Sequence, residues 1–156
     1  MFNLFKKKFK DIKEYPETWA VTKSVYNDMP IFIRVRDGLK EAIGHPDYPY
    51  IASVMVLLKT ADENGLPSNE EGKPEGKLWQ IEEGLKDAFT SNDESVFAFV
   101  TTVNSQRQFH YYVKEWKPEY FHAKVNKVKE SFPEYDDFEF QMGKDPKWVN
   151  MKPFFN

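Results

Sequence analysis

The chain has no cysteine, and this absence alone removes disulfides, thiolate nucleophiles, iron–sulfur clusters and cysteine-ligated zinc. Long apolar runs are missing as well. No stretch approaches the ~20 apolar residues that a membrane-spanning helix needs. Residues 1–10 are basic but have no apolar run or small-residue cleavage site behind them, so they do not read as a secretory leader. A cytoplasmic setting is the expectation. Histidine is scarce and unpatterned: His45, His110 and His122 fall in a loop, a strand and a helix without metal-ligand spacing, which favours ordinary core or surface roles. A glycine-rich phosphate loop is absent, and no serine sits in a nucleophile-elbow context, so the sequence names no cofactor and no catalytic residue. The formal charge of −3 and pI near 5.7 argue against a chain that coats nucleic acid, which needs a concentrated positive field.

What is present is a folding composition. Apolar residues make up 40% of the chain and aromatics 17%, so its 156 residues can bury one domain core built from rings as well as aliphatics. Phe2, Phe5, Phe9 and Ile12 share one helical stripe with lysines around it, which predicts a short amphipathic basic helix over residues 1–13. Residues 18–26 and 30–36 are β-rich runs joined across Asn27, Asp28 and Met29, a hairpin composition. Residues 50–58 are apolar at nearly every position, the pattern of a central strand covered on both faces. A polar excursion from Asp62 to Gly76 follows, too long for a plain connection. Leu78, Ile81, Leu85 and Phe89 then mark a helix over residues 77–90, and a second hairpin spans 95–114. Pro118 opens another helix with Phe121, Val125, Val128 and Phe132 on its buried stripe; a last strand alternates Phe138, Phe140 and Met142, and an aromatic tail runs over 144–156. From residue 50 to 143 the order is βαββαβ. The expected fold is therefore α+β: a ferredoxin-like antiparallel sheet with the hairpin of residues 18–36 added at one edge.

Few residue groups carry chemistry. Phe97-Ala98-Phe99-Val100 matches the centre of an RNA-recognition strand, but its flanks lack the Lys or Arg and the Gly of that signature, and ordinary strand packing explains the rings better. Paired carboxylates such as Glu82-Glu83 and Asp136-Asp137 read as solvated faces. Arginine is the more selective signal. Arg34, Arg36 and Arg107 stand against nineteen lysines, and all lie on or beside strands, where a planar fork binds a carboxylate or phosphate in two-pronged fashion. Structural ion pairs explain such placement more often than ligand sites do. The lysines of residues 1–13 suit packing over the sheet, docking on a partner, or weak contact with an anionic membrane surface.

Several stretches together resemble a bacterial family known as domain of unknown function 695. They are Ile33-Arg34-Val35-Arg36, then Asn64-Gly65-Leu66-Pro67 leading into Leu78-Trp79-Gln80-Ile81-Glu82, then Thr101-Thr102 followed by Arg107-Gln108-Phe109-His110-Tyr111-Tyr112-Val113, and finally Asp145-Pro146-Lys147-Trp148. The resemblance implies no activity, cofactor or site residue. It does imply a plan similar to the ferredoxin-like inhibitors of ribonuclease E, an analogy of fold alone. The sequence thus points to a non-catalytic interaction or regulatory module with an unspecified protein partner. Its surface is expected around Arg34, Arg36, Arg107, His110, Tyr112 and Trp148, together with Trp116, Phe154 and the 62–76 loop. The alternative is an enzyme or small-ligand binder that holds an anionic group with Arg36, Arg107 and His110. Convergence of those side chains in one pocket would distinguish the two.

Overall fold

Both hairpins turn on two-residue loops whose residues all have positive φ, as a type I′ turn requires. Asn27 and Asp28 stand at 49° and 64°, and Asn104 and Ser105 at the same two angles. The first turn joins β1 (Ala20–Tyr26) to β2 (Met29–Val35). The second joins β4 (Ser95–Val103) to β5 (Gln106–Val113), and β3, which lies next to the sheet edge rather than at its centre, covers Tyr50–Leu57. Helix α1 (Lys77–Thr90) follows β3, helix α2 (Pro118–Glu130) follows β5, and β6 (Phe138–Lys144) closes the sheet. The computed structural model describes residues 7–59, 61–63, 65–67, 76–135 and 137–155.

The six strands lie in the order β1-β2-β4-β5-β3-β6, and every neighbouring pair is antiparallel. The chain is thus α+β, with the N-terminal hairpin joined through β2 to β4. Both helices pack on one face. Leu78, Ile81, Leu85 and Phe89 of α1 and Phe121 and Val125 of α2 bury against Ala52, Val54, Val56, Phe109 and Tyr111. The α1 stripe is the one that the 3.6-residue spacing marks out, whereas on α2 Val128 is only half-buried and Phe132 joins the core from beyond the end of the helix.

The opposite face is covered by chain segments with short 3-10 turns, among them Asp37–Ala42, rather than by an α-helix. Ile12, Tyr15, Leu39, Ala42, Tyr48, Trp148 and Met151 pack there on Val35, Val96, Ala98, Phe99 and Tyr112. A bulge in β4 serves both cores: Phe97 pairs with Tyr111 and Phe99 with the adjacent His110, so Ala98 is the extra residue. Phe97 therefore faces the helices and Phe99 the other side. Both rings are buried and on opposite faces, so they form no stacking platform of the RNA-recognition kind.

The basic helix expected over residues 1–13 is not formed where the chain is described. Residues 7–11 have no regular secondary structure, and Ile12–Glu14 makes one 3-10 turn. The cause is competition for the same groups. The Lys10 amide donates to the Tyr15 hydroxyl at 3.0 Å, Asp11 caps the turn, and Phe9 packs on His45 with ring centroids 5.1 Å apart. Phe2, Phe5 and Lys6 lie outside the described residues. Just beyond, Gly38 meets the backbone so closely that a Cβ there would sit 2.0 Å from the Pro16 carbonyl oxygen. That contact requires glycine.

Strand β3 also departs from expectation. Its burial alternates, with Ala52, Val54 and Val56 inside and Ile51, Ser53 and Met55 only half-buried, so it is not covered on both faces. The covering segments of the second face reach Ile51 and stop short of Ser53 and Met55.

Candidate functional site

The three arginines occupy three separate places. Arg34 projects from β2 toward α1 and grips the Glu82 carboxylate with two hydrogen bonds: Nη1 donates to Oε2 at 3.0 Å and Nη2 to Oε1. Its guanidinium also lies between the Trp19 and Trp79 rings, 5.3 and 4.9 Å from their centroids. This arrangement is a closed structural pair. Arg36 donates from Nε to the Pro16 carbonyl at 3.2 Å and from Nη2 to the Tyr15 carbonyl at 3.0 Å, which pins the N-terminal segment, and burial lowers its pKa. It lines a cleft of about 560 Å³ that contains neither Arg107 nor His110. Of the other charges there, Lys13 pairs with Asp93 at 2.8 Å and Lys86 with Glu17 at 3.2 Å, and Glu14 Oε2 accepts from the Asp11 amide at 3.1 Å. Arg107 donates across the second hairpin to Thr102 Oγ1 at 2.9 Å. The convergence of Arg36, Arg107 and His110 that the ligand-binding alternative requires is therefore not found.

Tyr112 and Trp148 are core residues, which corrects their reading as surface aromatics. Both are fully buried, and their rings stack 4.1 Å apart. The Tyr112 hydroxyl donates to Asp145 Oδ2 at 2.8 Å, and burial first, then Asp145, raises the phenol pKa. Asp145 also accepts from the Val149 and Asn150 amides and from Asn150 Nδ2, and the indole of Trp148 donates to the Tyr48 carbonyl at 2.9 Å. One buried carboxylate thus ties the C-terminal tail to β5. Phe154 rests edge-on against Phe99, whereas Trp116 is 48% exposed beside Tyr50. Of the 62–76 loop, residues 64 and 68–75 lie outside the described residues.

His110 borders a second open region, on β5. It lies flat against Phe99 with centroids 4.2 Å apart, and its Nδ1 is 2.7 Å from Ser53 Oγ. Burial pushes its pKa down to about 3, so the ring is neutral near pH 7. A neutral imidazole and a hydroxyl carry two polar hydrogens between them. Their mutual bond uses one, so either tautomer leaves one donor.

Around this pair the helix-free face of the sheet is open. Ser53 and Met55 of β3 form a low floor, flanked by Gln106 and Gln108 on β5 and by Glu139 and Gln141 on β6. Two adjoining clefts of about 170 and 330 Å³ share Ser53, Gln108 and Gln141, and Asn150 of the tail borders the larger one. The floor at the β6 side is Gly143, opposite Ile51. The sequence reading missed this groove. Its one signal was Ser53, the one serine in a strand that is apolar from Ile51 to Leu57 apart from it. Elsewhere, His45 is buried with Nε2 2.7 Å from the Lys10 carbonyl oxygen, and His122 stacks on Phe140. Among the described residues no group of three acidic or histidine side chains is placed to hold a metal, and no helix is long and apolar enough to cross a membrane.

Comparison with protein families matches residues 17–154 to a family of unknown function, DUF695. The chain belongs to that family. The segments that carry the resemblance fall on structural positions of this DUF695 chain: Arg34 and Glu82 are the buried pair, His110 and Tyr112 lie on β5, and Asp145 with Trp148 anchors the tail. No curated protein and no solved structure matches the chain.

Proposed function

We propose that this DUF695 protein is a non-catalytic interaction module, and that it recognises its partner through the open groove along β3. The observation that carries this reading is the uneven cover of the sheet. The N-terminal segment and the C-terminal tail close the helix-free face over β4 and the end of β5, while Ser53, Gln108 and Gln141 remain accessible beside them. Carboxamides bind and orient, but they do not transfer protons near neutral pH, which favours recognition over catalysis. An anion site on the strand arginines has less support, because Arg34, Arg36 and Arg107 each donate to groups within the chain.

The order β4-β5-β3-β6 together with two helices on one face supports a ferredoxin-like reading of β3 to β6, with the hairpin as an extension at the β4 edge. We read residues 1–156 as one domain, since both cores share the same sheet. The test is capture from the protein's own cells followed by binding of the purified captured protein to wild type, to Gln108→Ala with Gln141→Ala, and to Arg36→Ala. At least a tenfold loss confined to the double variant is expected. Equal binding by wild type and the double variant would remove the groove from consideration.

A further inference from the structure

We infer that the groove along β3 takes an extended, uncharged stretch of polypeptide, held through its main-chain amides by Gln108, Gln141, Asn150 and the Ser53–His110 pair. The inference rests on the reading of this face as the recognition surface and names what it recognises.

The dimensions suit a strand-like ligand. From Ile51 to Met55 the floor runs roughly 13 Å at ~3.3 Å per residue, the length of about four extended residues. The chemistry then narrows the class. A carboxamide presents one acceptor and two donors, so it can pair with a peptide N–H and a peptide C=O alike, and the wall on β5 carries Gln106 and Gln108 while the wall on β6 carries Gln141. Asn150 is held in place by its donation to Asp145 at 2.8 Å. A nucleic-acid strand would need cations, yet the one ionised side chain on the floor is Glu139. Lys144 borders the larger cleft, but it follows Gly143 on β6, so strand alternation sends its side chain toward the helix-bearing face, where its neighbour-but-one Met142 packs. A sugar would seek an exposed ring to stack on, whereas Phe99, Tyr112 and Trp148 on this face are buried, and the half-buried Phe154 and Phe155 line neither cleft.

Gly143 supplies an independent observation. Its backbone is not among the positive-φ positions, and a Cβ added there would have nothing within 4 Å. Neither turn geometry nor a close approach requires glycine at this point of β6. Its effect is to leave the floor low where the larger cleft opens, so a side chain placed there fills the groove without disturbing the sheet.

The experiment is an NMR titration of the full chain, reading the side-chain amides of Gln108, Gln141 and Asn150. The probe is a mixture of capped decapeptides randomised over Ala, Ser, Thr, Gln and Val, with cellohexaose and a ten-residue oligothymidylate as separate arms. The peptides are expected to shift those resonances, and Gly143→Val to weaken binding at least tenfold with an unchanged thermal midpoint. Gln141→Ala is the second variant, expected to weaken binding in the same direction through the loss of one amide. Peptides that leave the three amides unmoved overturn the inference. If cellohexaose or the oligonucleotide moves them instead, the peptide assignment falls while the groove stands as the recognition surface. If peptide shifts map onto the Arg36 cleft and survive Gly143→Val, both fall.

Discussion

At the scale of single residues, His110 shows how burial sets a side chain's chemistry. Its ring is shut between Phe99 and Ser53, and burial lowers its pKa from 6.5 to about 3. A group whose folded pKa lies below its unfolded value contributes stability that is complete above the unfolded pKa and is lost as pH falls toward the folded one. Between about pH 6.5 and 3 the unfolded chain takes up a proton that the folded chain refuses. The slope from this one residue approaches ~1.4 kcal/mol per pH unit. Denaturant melts at pH 6, 5 and 4 should therefore show wild type losing stability faster than His110→Gln. Parallel profiles would mean that the ring is protonated in the folded protein or is not buried.

At the scale of elements, the buried pair Arg34–Glu82 links β2 to α1, and with it the added hairpin to the helix layer. Both groups are largely out of water, with side chains 22% and 6% exposed, so each compensates the other's desolvation. Arg34→Ala strands a buried carboxylate and should cost ~3–5 kcal/mol, whereas Arg34→Met combined with Glu82→Leu should recover most of that loss. Equilibrium unfolding of the three variants checks this. A single variant costing under ~0.5 kcal/mol would show that water reaches the pair. The sequence placed Arg34 on a strand and Glu82 on a helix, but the sequence separation of 48 residues gave no sign that they meet. The bulge at Ala98 was equally illegible, because Phe-Ala-Phe-Val reads as simple alternation until its pairing with β5 is known.

For the molecule as a whole, the C-terminal tail decides how much of the second sheet face is covered. Trp148 fills that face, stacks on Tyr112 and donates to the Tyr48 carbonyl, so it holds the tail, β5 and the segment before β3 together. Trp148→Ala should cost about 3–5 kcal/mol. Hydrogen exchange should accelerate on β4 and β5 around Phe99 and Tyr112, with the helix-side core around Phe109 less affected. Uniform acceleration throughout the sheet would show that the two cores do not melt separately.

The sequence alone determined the elements, since periodicity and turn chemistry are local: both hairpins with their Asn-Asp and Asn-Ser turns, the helices from Lys77 and Pro118, and the apolar stripes that form the first core. It also determined family membership, which rests on the order of short motifs along the chain. Tertiary structure alone decided which polar groups are engaged and which are open. Arg34 and Arg36 were the plausible ligand residues until partners distant in sequence were found for them, and Tyr112 and Trp148 looked exposable until the tail folded over them. The groove arises from what fails to cover β3, and the reach of a covering segment is a property of the packed chain that no residue pattern within β3 encodes.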